Sequence, residues 1–476
     1  MLIWIAGIVL LLVGYFTYGR WIDNIFGSDR DRPTPALTSP DGVDTLPLPG
    51  WKVFFIQLLD IAGIGPIFGP ILGALYGPQA LIWVVIGAIF AGGVHDYFSG
   101  MLSVRHGGAS VPELIGNLMG EKARWLLRGF SFLLLLLVGV VFVMSPASLL
   151  SSLTGINQMT LVGVIFVYYF LATVLPIDKL IGRFYPLFGL LLLFMTFAVL
   201  FGLIFSDRPF LPDLSVGGGI HPKALPIWPL LFITLSCGAI SGFHSTQSPI
   251  MARCIRSEKQ GRAVFYGAMI AEAVIAMIWV AVGVSFYDSP ALLQATIDQG
   301  TPALVVNQAC RALLGPVGGI IAILGVIILP ITSGDTAFRS SRLILAESCK
   351  LNQIPIRNRL LIAIPLFALA MYLSTVDFNL IWRYFGWSNQ TLAALMLWSA
   401  ALWLAREHKP HWLASLPATF MSAVSFSFIL QDPMGLGLPP LFSNITGVLG
   451  ALALLGAMYF YNLRLDASID QPMRSG

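Results

Sequence analysis

The chain has 476 residues, 57% of them hydrophobic and 11% charged, where an ordinary soluble domain carries about 25% charge. With a mean hydropathy of +0.83, this composition excludes a soluble globular domain and describes a multi-pass membrane protein. The net charge of +4 carries no nucleic-acid signal, because membrane proteins retain Lys and Arg in their cytoplasmic loops.

The first apolar run, Leu2 to Gly19, has no basic residue before it; Arg20 follows it. It is expected to stay as an uncleaved helix with its N-terminus outside. The polar, Pro-rich stretch to Pro49 reads as a cytoplasmic linker without packed structure. Twelve further apolar runs follow, at about 51–76, 79–102, 125–150, 159–176, 184–206, 226–252, 263–287, 311–333, 358–375, 378–405, 412–430 and 437–462. Each is near the roughly 20 residues a spanning helix needs, so about thirteen spans are expected. Basic residues gather at 20–52, 105–128, 179–183, 253–262, 339–359, 406–409 and 464–474, all on one side of that count. Only Arg208, Lys223 and Arg311 fall on the other, with Arg383 near the outer end of a span. The charge bias therefore places the C-terminus in the cytoplasm. Two cytoplasmic pieces do not span. Val111 to Gly120 opens Ser110-Val-Pro-Glu113, a capping-box pattern for a short interfacial helix. Asp335 to Lys350 fits an amphipathic helix lying on the inner face.

Two of the runs cannot remain continuous helices. The second holds Asp60-Ile-Ala-Gly63-Ile-Gly65-Pro66-Ile-Phe68-Gly69-Pro70, with two prolines and three glycines. The seventh holds Ser241-Gly242-Phe243-His244-Ser245-Thr246-Gln247-Ser248-Pro249. In hydrocarbon a freed backbone group must be satisfied by protein or by a cavity, so each break marks either a binding site or a Pro-kinked packing helix. The second break lies five spans after the first. The two runs therefore cross in opposite directions, as in two inverted halves meeting at a central site. Residues 51–206 and 226–405 would be the halves, 1–50 an added helix and linker, 207–225 an outer loop, and 406–476 a peripheral helix pair and tail.

Five motifs occur in order between about residues 50 and 400: Asp60-Ile-Ala-Gly-Ile-Gly-Pro, Phe90-Ala-Gly-Gly-Val-His-Asp-Tyr97, Ile240-Ser-Gly-Phe-His-Ser-Thr-Gln-Ser-Pro249, Ile331-Thr-Ser-Gly-Asp-Thr-Ala337 and Trp382-Arg-Tyr-Phe-Gly-Trp-Ser-Asn-Gln390. Together they resemble the carbon starvation protein A family. The resemblance implies an all-α polytopic membrane protein with the five-plus-five inverted repeat of leucine-transporter-type folds. It also implies uptake of short peptides or pyruvate during nutrient limitation, in a bacterial cytoplasmic membrane. The chain is shorter than long members of that family at its C-terminal end.

Ionisable groups within spans face cavities, pair with one another or relay protons. Asp60, Asp96, Glu272 and Asp335 are the candidates for coupling, against a reading as buried structural carboxyls. Half-helix ends at the breaks favour a substrate carboxylate. This nominates Gly63, Gly65, Phe68, His95, Gly242, Phe243, His244 and Gln247 as substrate contacts, with the aromatics alternatively core. Arg383 and Asn389 could meet an anionic substrate, or Arg383 could snorkel to the outer surface. By the resemblance, Thr332 and Ser333 stand in span order where sodium-coupled superfamily members place a hydroxyl pair; back-bonding to their own helix is the other reading. The coupling ion is then a proton or sodium. The cysteines Cys237, Cys254, Cys310 and Cys349 form no CxxC pair and read as ordinary small apolar residues. His408 and His411, with Pro410 between them, read as a solvated loop. No metal, cofactor or nucleic-acid partner is implied, the partners being a small solute and the lipid bilayer, and no phosphate loop, nucleophile elbow or HExxH occurs. The expected function is a secondary active transporter and not an enzyme; the rivals are a nutrient sensor on a transporter scaffold and an intramembrane metalloenzyme.

Overall fold

The computed structural model describes residues 2–177, 181–211, 221–376, 378–433 and 435–469, and the regular elements among them are all helical. α1 (Leu2–Phe16) runs almost directly into α2 (Tyr18–Phe26), which ends where Gly27 turns left-handed (φ 76°) and sends its N–H to the Asp23 carbonyl. The linker carries a short helix, α3 (Pro35–Thr38). α4 (Gly50–Ile61) and α5 (Gly65–Gly73) are the two arms of the first interrupted run, bent by 47° between Gly50–Ile61 and Gly65–Tyr76. α6 (Gln79–Gly87) passes through a π-turn at Ala88–Gly92 into α7 (Gly93–Arg105). α8 (Val111–Met119) leads into α9 (Glu121–Thr154), then α10 (Gln158–Val174) and α11 (Ile181–Ile204).

The second interrupted run contains α12 (Leu230–Thr234) and α13 (Gly242–Ala252). A second π-turn, Arg262–Tyr266, opens α14 (Gly267–Ser285). α15 (Pro290–Ser348) has 59 residues, which if straight would reach about 90 Å, three times a hydrocarbon core. It is turned at Gly315, which adopts φ 71° immediately before Pro316. α16 (Ile356–Leu373), α17 (Phe378–Arg406), α18 (Trp412–Gln431) and α19 (Pro440–Ile469) complete the fold. Among the described residues nine helices are long and apolar enough to cross a membrane, or ten with the bent pair; Gln158–Val174 is shorter. The large apolar residues left exposed on α1, α11 and α19 fit contact with lipid tails.

Three cytoplasmic expectations are corrected by packing. The linker is not loose. The Thr34 hydroxyl donates to the Ile255 carbonyl (2.6 Å), and the Leu48 N–H to Cys254 (3.0 Å). Buried Asp44 takes Arg339 Nη1 at 2.5 Å and Arg342 Nη2 at 2.7 Å. Residues 335–348 do not form an amphipathic surface helix either, because they continue α15 and Arg339 and Arg342 are fully buried on Asp44. Burial alone would raise the Asp44 carboxyl, but the two guanidiniums hold it well below the usual carboxylate range. Lastly, α8 forms where expected without its capping box: the Ser110 hydroxyl donates to Glu347, and Glu113 pairs with Arg124 and Arg128. Five of its residues, including Leu114 and Ile115, are buried in the protein.

Candidate functional site

The first break is built by a switched hydrogen bond. A continuous helix would send the Gly63 N–H to the Leu59 carbonyl; it goes instead to Ile61 (3.0 Å). The released Leu59 carbonyl accepts from the Ser333 hydroxyl on α15 (2.9 Å), while the Thr332 hydroxyl, 3.3 Å from the same oxygen, lies closer to the Leu329 carbonyl of its own helix (2.8 Å). At the second break Gly238 is left-handed (φ 88°) and Ser241 extended. Side chains of other helices take the exposed carbonyls: Trp83 Nε1 donates to Leu235 (3.2 Å), and Gln390 Nε2 to Phe232 (3.2 Å) and Ile240 (3.4 Å). Asn389 Oδ1 caps α13, accepting the Phe243 N–H (2.6 Å) and the Ser241 hydroxyl (3.1 Å). Asn389 was expected on a substrate; its oxygen instead holds this helix end.

The breaks touch each other. A Cβ on Gly65 would overlap the Cys237 side chain, and one on Gly242 would overlap the backbone of Asn389 and Ala393, so both glycines are required for close approach. Gly63 sits against Phe142 and Ser333. Phe243 packs edge-to-face on Phe142, with centroids 5.8 Å apart, and Phe68 is likewise buried. The Gln247 amide donates to the Thr246 hydroxyl (2.8 Å). The side chain of Arg383 lies outside the described residues, as do those of Arg183, Arg464 and Arg474, the whole of Lys179 and the 212–220 part of the outer loop.

The ionisable residues fall into two groups, whose carboxylates and histidines have no solvent exposure. In the first, Asp96 is held from both sides: His95 Nδ1 lies 2.7 Å from Oδ1 and His244 Nδ1 lies 2.9 Å from Oδ2. His244 Nε2 faces Glu272 Oε2 at 3.5 Å. The two π-turns arrange this group, since Tyr266 of one donates its hydroxyl to the Ile89 carbonyl freed by the other (2.9 Å). Three residues beyond the first π-turn lies His95, and six beyond Tyr266 lies Glu272. Cys237 also belongs here, beside His244.

In the second group, Asp335 Oδ2 accepts from the Tyr168 hydroxyl (2.8 Å) and Oδ1 meets the Tyr185 hydroxyl (2.6 Å). Tyr185 also reaches the Thr332 carbonyl (2.7 Å). Asp60 stands within electrostatic range of Asp335 with the Thr336 side chain beside it, and neither of its carboxylate oxygens completes a hydrogen bond. Tyr168, Tyr185 and Cys237 were not singled out from the sequence. A tyrosine or a cysteine inside an apolar run reads as core, and only the fold shows what it faces. Of the four cysteines Cys349 is exposed rather than core.

Residues 1–154, 142–307 and 294–427 match the family described as Carbon starvation protein CstA. The chain belongs to this family. A Haemophilus influenzae CstA relative, described as an uncharacterized membrane protein, is 46% identical over 361 residues, covering 64% of this chain and 96% of that protein. Peptide transporter CstA of Campylobacter jejuni is 28% identical over 345 residues, covering 58% and 48%. The pyruvate/proton symporter BtsT of Escherichia coli is 27% identical over 339 residues, covering 58% and 47%. The match thus spans about half the length of these two named transporters. Among solved structures, a histidine-to-alanine mutant of the Eremococcus coleocola manganese transporter superposes with a TM-score of 0.58 at 14% identity, covering 89% of this chain and 99% of that one. That likeness shows a shared fold for this CstA-family chain.

Proposed function

We propose that this chain is a secondary active transporter that imports a small carboxylate-bearing solute, a short peptide or pyruvate, by alternating access across the bacterial cytoplasmic membrane under nutrient limitation. The observation that carries the reading is the meeting of two interrupted helices, Gly65 against Cys237. Their broken ends supply what an anionic solute needs in a dry interior, helix N-termini and backbone groups already held open by side chains of other helices. In this reading about thirteen helices cross the membrane, 51–206 and 226–405 are inverted halves, and the N-terminus lies outside. The relatives named for peptide and for pyruvate/proton transport support the solute class.

A proton is the coupling ion this geometry favours. Tyr185 has one hydroxyl hydrogen and two acceptors within reach, the Thr332 carbonyl and Asp335 Oδ1. With Asp335 protonated, the carboxyl donates to Tyr185 and Tyr185 donates to Thr332. With Asp335 ionised, Tyr185 turns its hydrogen to the carboxylate. The pocket accommodates both states without moving a heavy atom, as a reversible proton carrier requires. Ser333 already donates to the Leu59 carbonyl, which ties the carrier helix to the first break. Asp60, beside Asp335, is the second group of the relay.

The test is uptake into proteoliposomes that enclose a pH dye, given pyruvate or a tripeptide without sodium. Protein-dependent acidification with one solute and none with the other identifies the substrate and supports proton coupling. Labelled accumulation driven only by a sodium gradient would replace the proton by sodium. No protein-dependent movement of either solute under either gradient would overturn the transport reading.

A further inference from the structure

We propose that Cys237, His244 and Glu272 form a binding site for a resident divalent transition-metal ion of the zinc type, built into the second helix break. Three elements supply it: the turn between α12 and α13, the first turns of α13, and α14. One ligand atom from each, the Cys237 sulfur, a His244 ring nitrogen and a Glu272 carboxylate oxygen, lie within 4.8 Å of one another in a pocket closed to solvent. Around a shared tetrahedral zinc such atoms would stand about 3.3–3.7 Å apart, given metal–ligand bonds of about 2.0–2.3 Å. His244 Nε2 and Glu272 Oε2 are already 3.5 Å apart, so closure asks mainly for a rotation of the Cys237 side chain.

Three further observations point to a cation here. Asp96 Oδ2 lies 2.9 Å from His244 Nδ1, the carboxylate–histidine support that fixes a ligating imidazole with its other nitrogen free for metal. That free nitrogen, His244 Nε2, and both oxygens of Glu272 have no hydrogen-bond partner although they are fully buried; His244 and the Gly238 backbone lie beside the carboxylate without completing a bond. A buried carboxylate whose one near partner, His244 Nε2, stands at 3.5 Å is costly to leave without a closer counter-charge. A divalent cation with one thiolate and one carboxylate is neutral as a unit, and a sulfur, nitrogen and oxygen donor set suits zinc rather than magnesium or calcium. Three protein ligands leave one position for water. The ion would fasten the break at Cys237 to α14, holding the second interrupted helix open.

The experiment uses the full chain purified from cells grown with added zinc, with bound metal measured by mass spectrometry after a mild chelator wash. Wild type is expected to retain zinc in a stoichiometric amount, as is Cys310→Ser, which removes a buried thiol elsewhere. Cys237→Ser and Glu272→Gln should lose it, and Asp96→Asn should bind about 10- to 100-fold more weakly. Cobalt loaded in place of zinc gives a readout on wild type alone, a thiolate-to-cobalt charge-transfer band. Wild type without retained zinc, a cobalt complex lacking that band, or a folded Cys237→Ser protein holding as much metal as wild type would each overturn the site.

Discussion

Asp44→Asn tests whether the linker between α2 and α4 is a structural strap. Asn keeps the size and one acceptor oxygen of the side chain and removes its charge. Asp44 is fully buried and meets Arg339 Nη1 at 2.5 Å and Arg342 Nη2 at 2.9 and 2.7 Å through its two oxygens. The variant leaves two buried guanidiniums facing each other with no counter-charge, and breaking a buried pair in this way costs about 3–5 kcal/mol. The assay is detergent-titrated unfolding in mixed micelles, followed by tryptophan fluorescence in wild type and variant. The pH dependence has a definite sign. The carboxyl is held below its unfolded value, so its contribution is complete above the ordinary aspartate pKa of about 3.9 and is lost as pH falls toward the folded value. The gap between wild type and variant should be flat from neutral pH to about pH 5 and shrink below about pH 4. A gap under about 1 kcal/mol, the range of a solvated surface pair, would refute the strap. So would a gap that widens on acidification.

Three other outcomes are expected. Asp335→Asn should abolish uphill, pH-driven accumulation in proteoliposomes while leaving exchange of labelled for unlabelled solute; retained accumulation would remove Asp335 from coupling. Gly242→Ala should cost at least about 1–3 kcal/mol and lower the folded yield, because the new methyl meets the fixed backbone of Asn389 and Ala393; thermal unfolding in detergent measures it. Asn389→Ala should cost about 0.5–2 kcal/mol through loss of the α13 cap, and Asn389→Asp, which keeps an acceptor for the Phe243 N–H, should recover part of that loss; the same unfolding series decides it.

The first break was legible in the sequence because it is local chemistry: Gly63, Gly65 and Pro66 cannot continue a helix at low cost. The second was expected within Ser241–Pro249, but α13 runs unbroken from Gly242 through Pro249 and the interruption lies just before it, around the left-handed Gly238. Helix positions were legible too, since each long apolar run falls on helix. The grouping of the carboxylates was not. Asp60, Asp96, Glu272 and Asp335 look alike as single charges in apolar runs, and only packing separates Asp96 and Glu272 around His244 from Asp60 and Asp335 near Tyr168 and Tyr185. Cys237 reads as a lone apolar residue in the sequence, because no second cysteine stands at CxxC spacing and Glu272 is brought beside it only by the packing of α14. Arg339, Arg342 and Asp44 were misplaced for a related reason. Charge and proline content describe how a segment meets water by itself, and carry no record of a counter-charge supplied from far along the chain.

That distance bears on how the protein is made. Asp44 and the arginines it binds are 295 and 298 positions apart. The carboxylate leaves the ribosome early and has to wait in water until most of the later helices have been synthesised. Arg339 and Arg342, arriving near the end of α15, find no internal counter-charge until the linker folds back over them. Docking of Asp44 onto these arginines therefore has to follow synthesis of position 342. A nascent chain stopped before position 339 would leave the Asp44 stretch of the linker more open to a protease than one released after position 342.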